Sequence, residues 1–396
     1  MKLSYKTTCL FIKPMNDTPT YLNKKNKKIC LIINNLGDGG VERVMLSLAH
    51  VLSEYNHEVD VIVLGDITHS FKFSNSIKKF NIHTIKGPTS PIEGSSPFSR
   101  YVRSTKNIEP LRNKIIELGV DFDLIVSNTF WTDKTCKKLN LPNVYYCIHA
   151  SLSSSTTFQS NKAVIFLSFI RSFLVKRLYK NQNLITVSRG VEQDLIRFGI
   201  RPKTVRTIYN PFNFNTIRQQ AEVHLVDEKN YIIHVGRFCP AQKRHDILIK
   251  AYKKSGIKQK LLLIGDNDNE TGRQIKKMVT DLSLQNQVIF KGFISNPFPY
   301  IKNAKAFILS SDYEGLPTVL IEALILKTPV VSTDCKSGPS EILIDELKPF
   351  LSPIGDVDTL AINIKNMVDN PVKITNKYTD KFSAEKSAEK YLSLCS

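Results

Sequence analysis

The segment from Ser310 to Leu326 combines a glycine turn, a helix start and two carboxylates, and it is the part of the sequence best suited to chemistry. A strand-like run ends as the segment begins, and Gly315 forms a turn before a helical pattern. Pro317 falls in the first turn of that helix, where its missing N–H costs no hydrogen bond. The amides of Thr318 and Val319 are then free to bind an anion, so the pattern predicts an anion site at this helix start.

The two carboxylates of this segment are Glu314 and Glu322. Glu322 is the only charged residue from Pro317 to Leu326, and its helix has an apolar pattern on nearly every side. A buried carboxylate needs specific partners, because leaving it unpaired is costly. The hydroxyls of a bound sugar would satisfy it, and so would a structural salt bridge to an arginine or lysine.

Cations cluster after a strand-like run in the middle of the chain. Arg237 closely follows the run that ends at Val235, and Lys243 and Arg244 stand at the next helix start. Two or three cations at this place suit a diphosphate. A solvated basic edge is the alternative.

A glycine turn follows the first strand-like run. Gly39 and Gly40 precede a helical pattern at Val41–Leu52, and adjacent glycines let a phosphate approach the backbone and the free amides closely. The spacing is not GxGxxG, so an ordinary turn is the alternative.

All of these features follow strand-like runs that alternate with helical patterns. The runs are apolar without strict alternation, which is typical of parallel strands covered on both faces. The sequence therefore predicts two α/β domains of βαβ units, with ligands bound beyond the carboxyl ends of the strands. The predicted strands are 29–34, 59–64, 82–85, 124–127, 144–148, 184–187, 205–208, 231–235, 260–264, 288–290, 306–309 and 330–332.

The predicted N-terminal domain spans 1–211 and includes a lysine-rich extension at 1–28. The second domain spans 212–381, and the polar stretch 211–228 is expected to be a linker. A last helix at about 382–394 lies well beyond the final strand, and 382–396 is expected to pack back on the first domain. The stretch 87–97 is rich in Gly, Pro and Ser and predicts a loop.

The 396-residue chain has a formal net charge of +19, which points to an anionic partner: nucleic acid, a phosphorylated small molecule or an anionic membrane. Its seven cysteines are scattered without a CxxC pair, which argues against a disulfide framework or a zinc site and favours a reducing compartment. The longest apolar run, near Ala163–Ile170, is too short to cross a bilayer, and no signal-peptide pattern occurs. We therefore expect a cytoplasmic protein.

A basic amphipathic pattern runs from Ile165 to Tyr179. Apolar residues there are interspersed with Arg171, Lys176 and Arg177, and such a helix can lie on an anionic membrane. A domain helix that packs its apolar face inward is the alternative.

Several motifs together resemble the GT4 retaining glycosyltransferases, whose GT-B fold has two Rossmann-like domains that face a central cleft. The motifs are GDGGVERVMLSLA, VSRGVEQDLIRFGI, IYNPF, HVGRFCPAQKRHD, LLLIGD, GFISNP, EGLPTVLIEAL, STDCKSGPSEIL and FSAEKSAEKYLSL. They cover most of the chain after about residue 28.

The resemblance implies a nucleotide-sugar donor. Arg237 and Lys243 would hold its diphosphate, and Glu322 would bind the ribose hydroxyls. The two residues implied in catalysis are Glu314, which contacts the transferred sugar, and His149, which faces it from the N-terminal domain. The other implied donor contacts are the amides of Leu316, Thr318 and Val319 on the phosphates, Phe293 on the base, and Gly39 and Gly40 from across the cleft.

The resemblance also implies a UDP-sugar as donor, a hexose or N-acetylhexosamine as the transferred group, and retention of anomeric configuration. The acceptor would be a polyprenyl-diphosphate-linked saccharide of O-antigen, capsule or a related surface glycan. The enzyme would lie on the inner face of the cell membrane and bind no nucleic acid. We expect no cofactor and no metal, because the D-x-D strings at 121–123, 266–268 and 356–358 are short enough to occur by chance.

Three other functions remain open. A nucleic-acid-binding protein would explain the charge, although the chain has no RNP-like strand and no zinc spacing. A UDP-sugar epimerase on a related fold would need no acceptor. The presence of both Glu314 and Glu322 argues against a catalytically inactive carbohydrate-binding relative.

Overall fold

The computed structural model describes residues 26–36, 40–65, 67, 80–85, 107–153 and 162–395, and within 162–170 it describes the backbone alone. The predictions for Gly39, for the loop at 87–97 and for nearly all of the N-terminal extension lie outside the described residues.

The N-terminal domain contains a seven-stranded sheet, in which every pairing among the described residues is parallel. The strand order is β3-β2-β1-β4-β5-β6-β7, so it reverses between β1 and β4, the place where such sheets bind ligands. The strands are β1 Lys28–Ile33, β2 Glu58–Val63, β3 Asn81–Thr84, β4 Leu124–Ser127, β5 Val144–Ile148, β6 Asn183–Thr186 and β7 Thr204–Thr207.

Helices cover this sheet and leave its central strands without solvent contact. All five residues of β1 from Ile29 to Ile33 are buried, which explains why the run is continuously apolar. The helices are α1 Gly40–Glu54, α2 Ile108–Glu117, α3 Phe130–Leu139, α4 Lys162–Tyr179 and α5 Arg189–Arg197.

The C-terminal domain repeats the scheme with a six-stranded parallel sheet in the order β10-β9-β8-β11-β12-β13. This order reverses between β8 and β11. The strands are β8 Tyr231–Val235, β9 Lys260–Ile264, β10 Val288–Gly292, β11 Phe307–Leu309, β12 Val330–Thr333 and β13 Leu351–Ser352. The helices are α6 Phe214–Gln220, α7 His245–Ser255, α8 Glu270–Asp281, α9 Phe298–Asn303, α10 Thr318–Ile325, α11 Pro339–Ile342 and α12 Val357–Asp369.

The final helix, α13 Ala384–Leu392, packs against α1 of the N-terminal domain. A parallel bridge joins Phe212 to Ser383, and the Tyr391 hydroxyl lies 3.9 Å from the Cys147 thiol. The last helix therefore lies against the N-terminal domain. The exact domain limits stay a prediction.

Every predicted strand is present, with each end within two residues of its predicted position. Two local predictions are wrong, and one strand was not predicted. The stretch 211–228 contains the helix α6, which is anchored by the buried Ile217, and is not a plain linker. The short strand β13 was not predicted, and Pro317 precedes α10 with an extended backbone instead of lying inside it. Among the described helices, none is both long and apolar enough to cross a membrane.

Candidate active site

The two domains meet at Gly315, directly after Glu314. A Cβ atom at Gly315 would lie 1.9 Å from the carbonyl oxygen of His149, so only glycine permits this approach. The Ser188 hydroxyl, at the start of α5, donates a 2.8 Å hydrogen bond to the carbonyl of Gly315. The structure thus brings His149 and Glu314, the two residues predicted to act in catalysis, to one point of the cleft.

Glu314 forms an ion pair with Lys243. Lys243 Nζ donates to Glu314 Oε1 at 2.6 Å, and the two side chains are only 12% and 10% exposed. The stem of Lys243 packs over Gly236, where an added Cβ would lie 3.4 Å from Lys243 Cε. The Ser310 hydroxyl holds the backbone of Lys243 with a 2.7 Å bond to its carbonyl. The lysine predicted to bind the diphosphate is therefore held by the carboxylate predicted to contact the sugar.

The other two cations of this cluster differ in their partners. Arg244 donates to both Asp246 oxygens at 3.0 Å and to Asp312 at 2.7 Å, so its charge is used within the domain. Arg237 is exposed, and its guanidinium forms no hydrogen bond or ion pair with any residue that the structure describes. Arg237 is accordingly the cation of the cluster that a ligand can recruit without breaking an existing pair.

Glu322 lies on α10, half-buried, and forms no ion pair with the described residues, so they contain no structural salt bridge for it. Burial raises the pKa of Glu322 to about 7, and the positive charge of Arg43 on α1 opposes this rise. The Arg43 guanidinium donates a 3.0 Å bond to the carbonyl of Ser295, in the loop that carries the exposed Phe293. Arg43 thus reaches across the cleft to the loop predicted to contact the base.

The start of α10 retains amides suited to an anion. Leu316 is buried against the core, and Thr318 and Val319 are half-buried in the first turn. No side chain caps this end of the helix, so its first amides lack a partner from a cap or from the helix itself. Gly40 begins α1 and is exposed, and no described atom lies within 4 Å of an added Cβ there. The described residues therefore give no steric reason for a glycine at Gly40.

His149 follows β5 and is held in one tautomer by Asn128. The Asn128 amide nitrogen faces the carbonyls of Val126 at 3.2 Å and Ile32 at 3.4 Å, which directs its Oδ1 to His149 Nε2 at 3.1 Å. His149 Nε2 therefore carries the proton and Nδ1 is the acceptor. Burial lowers the pKa of His149 to about 4, so the imidazole is neutral at physiological pH.

Sequence reasoning missed Asn128 and Ser188. Asn128 directly follows β4 and Ser188 lies two residues after β6, so a search for polar residues near strand ends could have found them. The described residues contain no group of His, Cys, Asp or Glu side chains that could hold a metal ion. In the D-x-D strings, Asp123 pairs with Lys27, and Asp356 caps the first turn of α12.

The structure has two parallel-sheet α/β domains that face each other across a cleft, with cations and carboxylates at the strand ends. This arrangement is that of the GT-B glycosyltransferases. Family models agree with this assignment. Residues 38–215 match "Glycosyltransferase Family 4", and residues 215–386 match "Glycosyl transferases group 1". The chain belongs to the GT4 glycosyltransferases, which confirms the fold and family predicted from its motifs.

Relatives extend over nearly the whole chain. An N-acetylgalactosamine-N,N'-diacetylbacillosaminyl-diphospho-undecaprenol 4-alpha-N-acetylgalactosaminyltransferase of Campylobacter jejuni is 27% identical over 92% of this chain and 99% of its own length. Sucrose-phosphate synthase from Thermosynechococcus elongatus has a TM-score of 0.70 and 21% identity over 93% of this chain and 94% of its own. Anabaena HepE in complex with UDP and glucose has a TM-score of 0.65 and 21% identity over 93% and 97%.

Proposed function

We propose that this glycosyltransferase moves a hexose or N-acetylhexosamine from a UDP-sugar to a polyprenyl-diphosphate-linked saccharide, in the synthesis of O-antigen, capsule or a related surface glycan. The observation that carries the proposal is the ion pair between Lys243 and Glu314 beneath His149, with Arg237 unpaired beside it. A diphosphate and a sugar presented together would engage all four residues.

The C-terminal domain would stabilise the leaving group. As the bond between the anomeric carbon and the phosphate oxygen breaks, negative charge builds up on the diphosphate. Arg237, Lys243 and the first amides of α10 can stabilise this charge from fixed positions. Glu322 would bind the ribose hydroxyls, which replace the missing partners of its half-buried carboxylate.

We assign His149 a role as hydrogen-bond acceptor. Because its Nε2 proton is directed to Asn128, its Nδ1 can accept a hydrogen bond from a hydroxyl of the donor sugar. The acceptor oxygen would attack from the face that the diphosphate leaves, and its proton would pass to the departing phosphate oxygen. This same-face path retains the anomeric configuration and uses no metal ion.

The relatives support the choice of substrates. The name of the Campylobacter enzyme gives a diphospho-undecaprenol-linked acceptor and an alpha-linked N-acetylgalactosamine product. The Anabaena structure holds UDP, which supports a uridine nucleotide at the equivalent cleft. A polyprenyl-linked acceptor would bring the enzyme to the inner face of the cell membrane.

The first test is calorimetric titration with UDP, GDP, ADP and NAD in the presence of a chelator. We expect saturable binding of UDP alone. Glu322→Ala should weaken UDP binding, whereas Glu314→Ala should mainly slow transfer. Small and equal effects of both substitutions would contradict the assignment. Conversion of the UDP-sugar to its epimer without any acceptor would favour the epimerase instead.

The proposed membrane surface is the outward face of α4. Phe173 and Leu174 are 58% and 52% exposed, and Arg177 and Lys180 are exposed beside them, whereas Val175 is buried. Apolar side chains together with cations suit the interface of an anionic bilayer.

Vesicle sedimentation tests this surface. Wild type should bind vesicles with anionic lipid and bind poorly to zwitterionic ones. The double variant Phe173→Ser, Leu174→Ser should lose binding, whereas Ile362→Ser, an equally exposed residue of α12, should retain it. Binding by the double variant equal to wild type would refute the role of this face.

A further inference from the structure

Glu341 belongs to the C-terminal domain, yet its carboxylate accepts its described hydrogen bonds from the N-terminal domain. The amides of Arg189 and Gly190 donate to it at 3.0 and 2.9 Å, and the Tyr209 hydroxyl donates at 2.8 Å. Its position on the short helix α11 directs it toward the start of α5. One side chain therefore joins two segments of the opposite domain.

The start of α5 is built for this contact. Ser188 caps the helix by accepting from the amide of Val191 at 3.1 Å, which leaves the first two amides without a helical partner. A carboxylate placed there satisfies both donors and also interacts favourably with the helix dipole. Burial and the nearby Glu341 charge raise the pKa of Tyr209, so its hydroxyl keeps the proton that it donates.

The backbones approach too closely at this point for any residue except glycine. A Cβ at Gly190 would lie 2.7 Å from Ser337 Cα and 2.8 Å from the carbonyl oxygen of Lys336. The same turn contacts the segment that carries Glu314, because the Ser188 hydroxyl donates to the carbonyl of Gly315. We define the domain latch as Ser188, Arg189, Gly190, Tyr209 and Glu341.

We propose that Glu341 is a positioning residue, and that the domain latch holds the two domains in the alignment that places His149 against Gly315 for transfer. The inference rests on the proposed function, since the reaction needs groups from both domains. Glu341 itself lies outside the set that we assign to the donor. The charged residues assigned to the nucleotide, Arg237, Lys243 and Glu322, are in the C-terminal domain, and the other domain is assigned only the glycine turn at Gly39 and Gly40. Losing the latch should therefore leave most of the nucleotide affinity intact.

The test compares transfer and binding in Glu341→Ala and Glu341→Gln. The matched control is Glu346→Gln, a neighbouring exposed carboxylate whose partners Lys377 and Tyr378 lie within the same domain. We expect kcat, counted per UDP-binding site, to fall about a hundredfold in Glu341→Ala, because small misplacements of reacting groups cost that much. Glu341→Gln keeps one acceptor oxygen, so its kcat should fall less. The Kd for UDP should stay within twofold of wild type.

Counting sites by UDP stoichiometry separates positioning from folding. A purely structural role would lower the fraction of folded protein and leave kcat per site unchanged, and that result would overturn the proposal. A loss of UDP affinity as large as the loss of kcat would also overturn it, since Glu341 would then belong to the nucleotide site.

Hydrogen exchange keeps the inference testable even if the wild type transfers no sugar. The amides of Arg189 and Gly190 should be protected in the substrate-free wild type and exchange faster in Glu341→Ala, whereas Glu346→Gln should not change them. Absence of transfer with the protection pattern intact would refute the proposed function alone. Equal exchange in wild type and Glu341→Ala would refute the latch.

Discussion

Removing the Glu314 carboxylate is expected to destabilise the ligand-free protein, because Lys243 would lose its partner in a site where both side chains are only about a tenth exposed. Breaking one side of a buried ion pair costs about 3–5 kcal/mol, and the residual exposure here favours about 3. For a domain of this size each kcal/mol shifts Tm by about 2–4 °C, so Glu314→Gln should melt about 6–12 °C below wild type.

UDP should restore part of the thermal stability that Glu314→Gln loses. Diphosphate oxygens can replace the carboxylate at Lys243 Nζ, so the increase in Tm at saturating UDP should be larger in Glu314→Gln than in wild type. The assay is scanning calorimetry of both proteins with and without UDP. The control, Glu346→Gln, removes an exposed carboxylate that pairs with Lys377 at the surface, and its Tm should match wild type.

Two results would refute this reasoning. If Glu314→Gln has the same Tm as wild type, the ion pair contributes nothing to stability and Lys243 is better solvated than its exposure indicates. If UDP raises Tm equally in both proteins, the diphosphate does not replace the carboxylate at Lys243, and the assignment of this lysine to the donor is wrong.

Two further predictions concern pH. The pKa of Glu322 is about 7 against an ordinary 4.5, so ionising this carboxylate lowers the free energy of unfolding progressively as pH rises from about 4.5 to 7. UDP binding should strengthen from about pH 6 to 8, because the carboxylate then becomes a charged hydrogen-bond acceptor. Glu322→Gln should remove the increase in UDP affinity between about pH 6 and 8, as measured by calorimetry. A UDP affinity that still rises with pH as in wild type would contradict this prediction. Asn128→Asp should raise the pKa of His149 from about 4 and add to kcat/KM a second acidic limb besides the one expected from Glu322. A pH–rate profile that matches wild type would show that neutral His149 is not required.

The fold was predictable because the strands are buried on both faces. In a parallel sheet covered by helices, nearly every residue of a central strand is apolar, so runs such as Val144–Ile148 and Tyr231–Val235 show their limits directly in the sequence. Several runs extend one residue past the observed strand, as at Val187 and Ile208. Those residues are buried at the strand end although they are outside the strand, and hydropathy does not distinguish the two cases.

The residue types of the site were predictable, but their pairing was not. Lys243 and Arg244 look alike in the sequence, yet Asp312 and Asp246 bind Arg244, and Glu314 binds Lys243. Which cation stays unpaired depends on contacts between segments about 70 residues apart. The domain latch was missed for the same reason, because Glu341 and Gly190 are 151 residues apart.

The charged side chains at the cleft fall into two groups, those that already form ion pairs within the protein and those that do not. Lys243 with Glu314 and Arg244 with Asp312 are neutralised within the domain, whereas Arg237 and Glu322 have no ionic partner among the described residues. A ligand that matches both must bring anionic oxygens to Arg237 and neutral hydroxyls to Glu322, because a second phosphate near that carboxylate would be repelled. A nucleoside diphosphate has this polarity, with phosphates on one side of a ribose. A continuous polyanion such as nucleic acid has phosphates on both sides of each ribose, which would place one of them near the Glu322 carboxylate.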